Sequence, residues 1–199
     1  MSLYDEWKTR FERVWDINGQ GQYRMGSPGL RLVPRFIGWV PPNVTVNEYG
    51  SGTGRAVAEI LRARPDLRVN MIDIAENALE APARALIGEG ATLTIAPLWK
   101  LPDDFPVALW GYCIDVLMCV PPERLDEIMG EIRRTCKNLF AQVYDWSDIR
   151  LGIDYTSVKQ DPEWWRKKFE QFWPTVSKLK SDEHARRYIF LCHGEGSHG

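Results

Sequence analysis

The chain predicts an α/β fold in three layers, a mostly parallel sheet with helices on both faces and an antiparallel hairpin at its end. Three observations predict it. The run Val46-Asn47-Glu48-Tyr49 enters a glycine-rich turn, Gly50-Ser51-Gly52-Thr53-Gly54, which a helical pattern leaves. A second apolar run then ends on Asp73, nineteen residues past Gly54, completing a βαβ unit. Strand-like and helix-like segments go on alternating through five βα repeats, as a parallel sheet requires. Finally, residues 176–179 and 187–192 are short apolar runs separated by a polar turn, the pattern of a closing hairpin.

In chain order, residues 3–15 read as an amphipathic helix, with Leu3, Trp7, Phe11, Val14 and Trp15 at three- and four-residue spacing. Residues 18–22 are a flexible break, and 29–39 form a short helix that leads through Pro41-Pro42 into strand one. Residues 56–63 are helical and stop before Pro65, and 67–73 are strand two. Residues 76–87 form the next helix, with Glu76 near its start and Gly88 as its stop, and 92–95 are strand three. Strand four covers 112–118, Pro121-Pro122 turns the chain, a helix runs over 123–136, strand five covers 139–144, and an aromatic-rich helix covers 161–172. There are no internal repeats or low-complexity linkers.

With 199 residues, 44% of them apolar, and nine tryptophans, the chain can bury one substantial core, and we expect a single domain over 1–199. Residues 1–28 would be its N-terminal helix, either packed on the core or serving as a lid, and 194–199 a flexible tail. The net charge of −2 and pI near 6.0 give no electrostatic support for nucleic-acid binding. Asp5, Glu6 and Lys8 interrupt any signal sequence, and no apolar run approaches the roughly 18 residues that span a bilayer, so a cytoplasmic location is expected. Cys113, Cys119, Cys136 and Cys192 lack CxxC spacing and should be reduced. His184, His193 and His198 are scattered, and no metal site is expected.

The glycines point to a ligand. A tight strand-to-helix turn needs positive φ, and backbone can touch a ligand only where no side chain intervenes. Asp73, at the end of strand two, can accept both hydroxyls of a ribose, so the ligand reads as an adenosine derivative. A dinucleotide fingerprint would need glycine where Arg55 stands, and a P-loop would need Gly-Lys-Ser/Thr, which is absent. The pattern Glu48-x-Gly50-x-Gly52-x-Gly54 resembles the first motif of class I S-adenosylmethionine-dependent methyltransferases. The resemblance implies the seven-stranded Rossmann-like fold of that family, S-adenosylmethionine as cofactor, and contacts to it from Glu48, Gly50, Ser51, Gly52, Thr53, Gly54, Asp73 and Ile74. It places Glu48 near the cofactor's amino acid moiety. Arg24, in the loop ahead of strand one, is either a clamp on the cofactor carboxylate or a surface residue. No acid stands within 97–102, where the family usually binds adenine, so adenine recognition passes to backbone groups, to stacking on Trp99, or to Asp103 and Asp104.

The segment from Trp110 to Glu123 resembles small bacteriophage-encoded members of the family, keeping Asp115, Val116, Leu117, Pro121, Pro122 and Glu123 but carrying Met118 and Cys119 where that group has Glu-His. Tyr155 likewise stands where the group commonly has histidine. Cys119-Val120-Pro121-Pro122 is not the Asp/Asn-Pro-Pro-Tyr/Phe motif of amino-methylating DNA enzymes, so the expected acceptor is a small molecule, nucleotide or modified base. Methyl transfer from a sulfonium relies on alignment, and a base is needed only if the acceptor must lose a proton. Asp115 and Tyr155 are the candidate catalytic residues, and Trp99, Trp146, Trp164 and Trp165 are candidate stacking surfaces for a flat acceptor. Two other readings stand: a cofactor-binding protein without transfer activity, motivated by the missing Glu-His pair, and a nicotinamide-dependent oxidoreductase. The protein would be a monomer or homodimer, in the host cytoplasm if phage-encoded.

Overall fold

The computed structural model describes residues 1–19, 27, 29–150, 153–181 and 186–196. The Arg24 clamp, His184 and His198 fall outside them. By its internal contacts the chain divides into two units, Met1–Leu98 and Trp99–Gly199.

The first unit holds α1 (Leu3–Gly19), α2 (Val33–Phe36), β1 (Thr45–Tyr49), α3 (Arg55–Ala63), β2 (Arg68–Asp73), α4 (Ala81–Arg84) and β3 (Ala91–Ile95). Its strands are parallel in the order β3-β2-β1. Val46, Tyr49, Met71 and Ile72 are fully buried, as parallel strands covered on both faces demand. A polar ladder, buried at Asn47 and Asn70 and exposed at Thr92, fixes the register. Asn47, Asn70 and Thr92 lie opposite one another, Asn70 Nδ2 donating to Asn47 Oδ1 at 2.8 Å and Thr92 Oγ1 to Asn70 Oδ1 at 2.8 Å. A slip of one residue would break both bonds and turn the apolar set over. Helix α3 buries Ala56, Val57, Ile60 and Leu61 along one stripe.

The helix expected over 76–87 is instead a 3-10 turn (Glu76–Ala78), an extended break at Leu79 and Glu80, and the short α4. Pro82 is the cause: in a continuous helix its ring would collide with the Ala78 carbonyl and leave a bond unmade, whereas at the start of α4 it is tolerated.

The second unit holds β4 (Ala108–Ile114), α5 (Leu125–Thr135), β5 (Cys136–Tyr144), a two-stranded ribbon of β6 (Ile149–Arg150) and β7 (Ile153–Asp154), α6 (Pro162–Glu170), β8 (Thr175–Leu179) and β9 (Arg187–His193). Here β4 and β5 are parallel, while β9 pairs antiparallel with both β5 and β8, forming the expected hairpin. The seven long strands make the mixed sheet of a Rossmann-like fold.

Strand four, expected over 112–118, starts and stops four residues earlier. The chain turns at Asp115, whose φ is 57°, and Leu117–Cys119 form a buried 3-10 turn. An apolar run is buried equally well as strand or as turn, so its hydrophobicity did not mark where the strand ends. Helix α6 starts at Asp161, whose carboxylate accepts the Trp164 N–H at 2.7 Å, with Pro162 at its first position. Trp165 is a correction to the stacking surfaces expected above. It is 0% exposed, tilted against Phe169, which packs in turn on Phe190 and Trp173, and so cannot meet an acceptor.

All four cysteines are buried and form no disulfide. Among the described residues no helix is long and apolar enough to cross a membrane, and no group of His, Cys, Asp or Glu is placed to hold a metal ion.

Candidate functional site

In the first unit, β1 runs into a turn in which Gly50, Gly52 and Gly54 have φ of 74°, 51° and 72°, values that L side chains seldom adopt. The turn is tied to the end of β2. Gly50 and Ser51 N–H both donate to the Ile72 carbonyl, at 2.8 and 3.1 Å, and Gly52 N–H donates to Asp73 Oδ2 at 2.7 Å. Asp73 Oδ1 accepts the Ala75 N–H at 2.9 Å. Asp73 therefore buckles the turn, and each of its oxygens still has a lone pair for another donor. Burial raises its carboxyl above the ordinary value, with the N–H groups of Ala75, Gly52 and Ile74 pulling it down.

Two of the glycines are also committed sterically. A Cβ on Gly54 would lie 2.4 Å from Ala83 Cβ and 2.6 Å from Leu79 Cδ1. At Gly52 the space is taken by the Trp15 indole of α1, which would lie 3.3 Å from a Cβ there. The C-terminal half of α1 is held in place by Asn77, whose Nδ2 donates to the Glu12 carbonyl at 2.9 Å and to Asp16 Oδ1 at 2.7 Å. Ser51 and Thr53 are buried, Ser51 Oγ donating to the Glu48 carbonyl at 3.3 Å and Thr53 Oγ1 accepting the Arg55 N–H at 3.4 Å. Ile74 is half-buried.

Glu48, one residue before the end of β1, is 5% exposed, and its Oε2 is buried with no hydrogen-bond partner. Burial pushes its carboxyl up to about 8, the Ser51 hydrogen bond opposing and the Asp73 charge adding to the rise. A carboxyl in this state is an unfilled seat for a cation, because an arriving ammonium would restore its ionised form.

In the second unit, Asp115 follows the carboxyl end of β4. Its N–H donates to the Gln142 carbonyl at 3.0 Å while Gln142 Nε2 donates back to Oδ1 at 2.8 Å, a reciprocal pair that over-determines the left-handed backbone. Asp115 Oδ2 faces Arg187 Nε at 3.6 Å. Arg187 lies over the Trp146 ring at 4.8 Å, and Trp146 stacks on Tyr144 at 4.1 Å and 20°. Trp146 is half-buried, its ring engaged by both Arg187 and Tyr144. The Tyr144 hydroxyl meets Cys119 Sγ at 3.3 Å and donates to Asp148 Oδ2 at 3.5 Å. Burial, with Cys119 beside it, pushes that phenol far above its ordinary value, so it stays protonated and can serve only as a hydrogen-bonding group. Tyr155 is buried, and its N–H donates to the Asp148 carbonyl at 2.9 Å. Ser157 and Val158 N–H both reach the Met118 carbonyl, fastening this late segment to the 117–119 turn. Trp99 and Trp164 are half-buried, Asp103 and Asp104 exposed.

The sequence thus placed Glu48, the three glycines and Asp73 together, whereas Asp115, expected within strand four, follows its end. It missed Trp15, Asn77, Gln142, Tyr144 and Arg187. Trp15 could have been found from its place at the C-terminal end of an amphipathic helix ahead of the glycine turn, whereas nothing local marks Arg187, which meets Tyr144 only through antiparallel pairing.

No family model matches the sequence, and no curated protein matches it. Solved structures do. An O-methyltransferase family protein from Burkholderia thailandensis has a TM-score of 0.71 at 16% identity over 93% of this chain, which spans 61% of that protein's length. Magnesium protoporphyrin IX methyltransferase from Synechocystis PCC 6803, with bound S-adenosylhomocysteine, has a TM-score of 0.65 at 13% identity, covering 94% of this chain and 100% of that one. A small RNA methyltransferase has a TM-score of 0.69 at 13% identity, covering 89% of this chain and 28% of that one. At these identities the likeness establishes the fold, the Rossmann-like arrangement of class I methyltransferases.

Proposed function

We propose that this chain is an S-adenosylmethionine-dependent methyltransferase acting on a small-molecule or nucleotide acceptor. The observation that carries the reading is Glu48, a buried carboxyl whose Oε2 has no hydrogen-bond partner, beside a glycine turn that Asp73 closes. Those residues fit the cofactor. Glu48 would seat its ammonium, Asp73 its ribose hydroxyls, and the backbone of 50–54 would approach it where no side chain intervenes. Solved neighbours that hold S-adenosylhomocysteine or S-adenosylmethionine on the same fold support this.

When bound, the cofactor supplies a methyl group on a sulfonium, an electrophile already activated for in-line displacement. What remains for the protein is alignment and exclusion of water. Helix α1 is suited to the second task, with Trp15 against Gly52 and Asn77 holding the helix, and we assign it the role of cofactor lid. Arg24 would clamp the cofactor carboxylate and Trp99 would face the adenine. On the acceptor side Asp115 is a carboxylate fixed by Gln142 and aimed with Arg187, suited to hold an acceptor that carries a proton, and buried Tyr155 would help to hold the late segment through its N–H bond to the Asp148 carbonyl. The likeness to bacteriophage-encoded members rests on Asp115, Val116, Leu117, Pro121, Pro122 and Glu123 alone.

One observation favours the reading without transfer: Met118 and Cys119, which replace a Glu-His pair, are buried in the 117–119 turn and offer no acid or base. Calorimetric titration with S-adenosylmethionine, S-adenosylhomocysteine and the nicotinamide dinucleotides in parallel tests the proposal. Binding of the first two alone is expected, and failure of both to bind would overturn it.

A further inference from the structure

Arg187 is held in place from every side. The residue before it, Arg186, has a positive φ of 49° and ion-pairs with Asp145 at 2.6 Å, its Nη2 also donating to the Asp145 carbonyl at 3.1 Å. The residue after it, Tyr188, donates its hydroxyl to Asp145 Oδ2 at 3.1 Å. Asp145 thus braces the backbone on both flanks of Arg187, and the stack on Trp146 and Tyr144 fixes the plane of the guanidinium.

Yet this guanidinium, though ion-paired with Asp115, keeps an unmade hydrogen bond. Arg187 Nε is a buried donor with no hydrogen-bond partner, and the carboxylate it faces, Asp115, stands beyond hydrogen-bond distance at 3.6 Å. A guanidinium presents its donors as a fork that matches a carboxylate or phosphate, and a buried N–H left without an acceptor costs stability unless a partner arrives. Its position names the partner's place. Arg187 pairs with Tyr144 at the carboxyl end of β5, beside Asp115 after the end of β4, and ligands of such sheets bind outside the carboxyl ends of the strands.

We infer that Arg187 is the anchor for a negatively charged group on the methyl acceptor, a carboxylate or a phosphate, and so selects acidic acceptors over neutral ones. This rests on the methyltransferase reading for the word acceptor, but the anion seat itself does not. With its side chain 26% exposed, Arg187 can be reached from solvent, and Asp115 steadies the guanidinium from one edge while the rest of the fork is presented.

The test uses the intact protein with its tryptophan indole nitrogens labelled, the Trp146 resonance being assigned by its loss in Trp146→Phe. Benzoate, its neutral isostere benzamide, and inorganic phosphate are titrated separately over millimolar concentrations, with S-adenosylhomocysteine present. Saturable shifts of the Trp146 resonance with benzoate or phosphate, and none with benzamide, are expected. A response to benzoate alone identifies a carboxylate, and a response to phosphate alone a phosphate. Arg187→Met should abolish the response, and Arg187→Lys should weaken it about tenfold through loss of the bidentate fork. Equal shifts with benzamide, no shift with either anion, or an undiminished response in Arg187→Met would overturn the inference. Unchanged calorimetric binding of S-adenosylhomocysteine in Arg187→Met shows that the variant is folded. If the wild type takes benzoate but not S-adenosylhomocysteine, the anion seat stands and the methyltransferase reading fails.

Discussion

Glu48 Oε2 in the first unit and Arg187 Nε in the second are both buried without a hydrogen-bond partner, and the two are of opposite kind, an acceptor and a donor. Their surroundings differ as well. Around Glu48 the site is made of backbone, with three glycines at positive φ and amides tied to Ile72 and Asp73. Around Arg187 it is made of side chains, a stack of tyrosine, tryptophan and guanidinium braced by one aspartate. A backbone-built site tolerates few residue types and therefore fixes its ligand. One built from side chains can be altered residue by residue without disturbing the fold, as an acceptor site that varies among proteins sharing one cofactor must be.

The largest expected effect breaks the backbone-built half. Gly54→Ala places a methyl 2.4 Å from Ala83 Cβ on a residue with φ of 72°, and should lower stability by about 3 kcal/mol or more, read from denaturant unfolding. A change within ordinary experimental scatter would mean that α4 is not packed where it is described. Next, Asp73→Ala removes the acceptor that buckles the turn and, on the proposed function, the charge-assisted bonds it would make to a ribose. Affinity for S-adenosylhomocysteine should fall by about 2 kcal/mol or more, and unchanged affinity would show that the second strand does not carry the ligand.

Glu48 sharpens the comparison through pH. Its carboxyl is raised from an ordinary 4.5 to about 8, so its contribution to the stability of the ligand-free protein is full below the ordinary value and is lost as pH rises through about 8. Glu48→Gln lacks that slope. Relative to wild type the variant should gain stability between those limits and level off above them, as urea midpoints over a pH series would show, while binding S-adenosylhomocysteine more weakly. Parallel pH profiles for the two proteins would contradict the burial described. The smallest effect belongs to the second unit. Asp161→Ala, losing the cap on α6, should cost about 1 kcal/mol of stability and leave S-adenosylhomocysteine affinity untouched, since the residues proposed to hold the cofactor all lie outside this helix.

The same contrast explains what could be read in advance. The glycine turn and Asp73 were legible because positive φ and close approach leave glycine almost no substitute, and a lone acid at a strand end has few structural roles. The hairpin was legible from two apolar runs, within one residue of where β8 and β9 lie. Strand four was misplaced because the apolar run through Val120 continues past the point where Asp115 turns the chain. The ribbon of β6 and β7, two residues per strand, is too short to leave a period. The Trp15 contact with Gly52 and the stack of Arg187 on Trp146 both join residues far apart in sequence; an amphipathic helix ahead of the turn hints at the first, and no local pattern encodes the second.

The most direct test of the central claim is the proton released when the cofactor binds. Titration calorimetry with S-adenosylhomocysteine at neutral pH, repeated in buffers of different ionisation enthalpy, counts that proton. A Glu48 carboxyl near 8 that ionises on meeting the ligand's ammonium should release roughly nine tenths of a proton per site, and Glu48→Gln should release none. Binding with no proton released by the wild type would mean that Glu48 does not seat the cofactor.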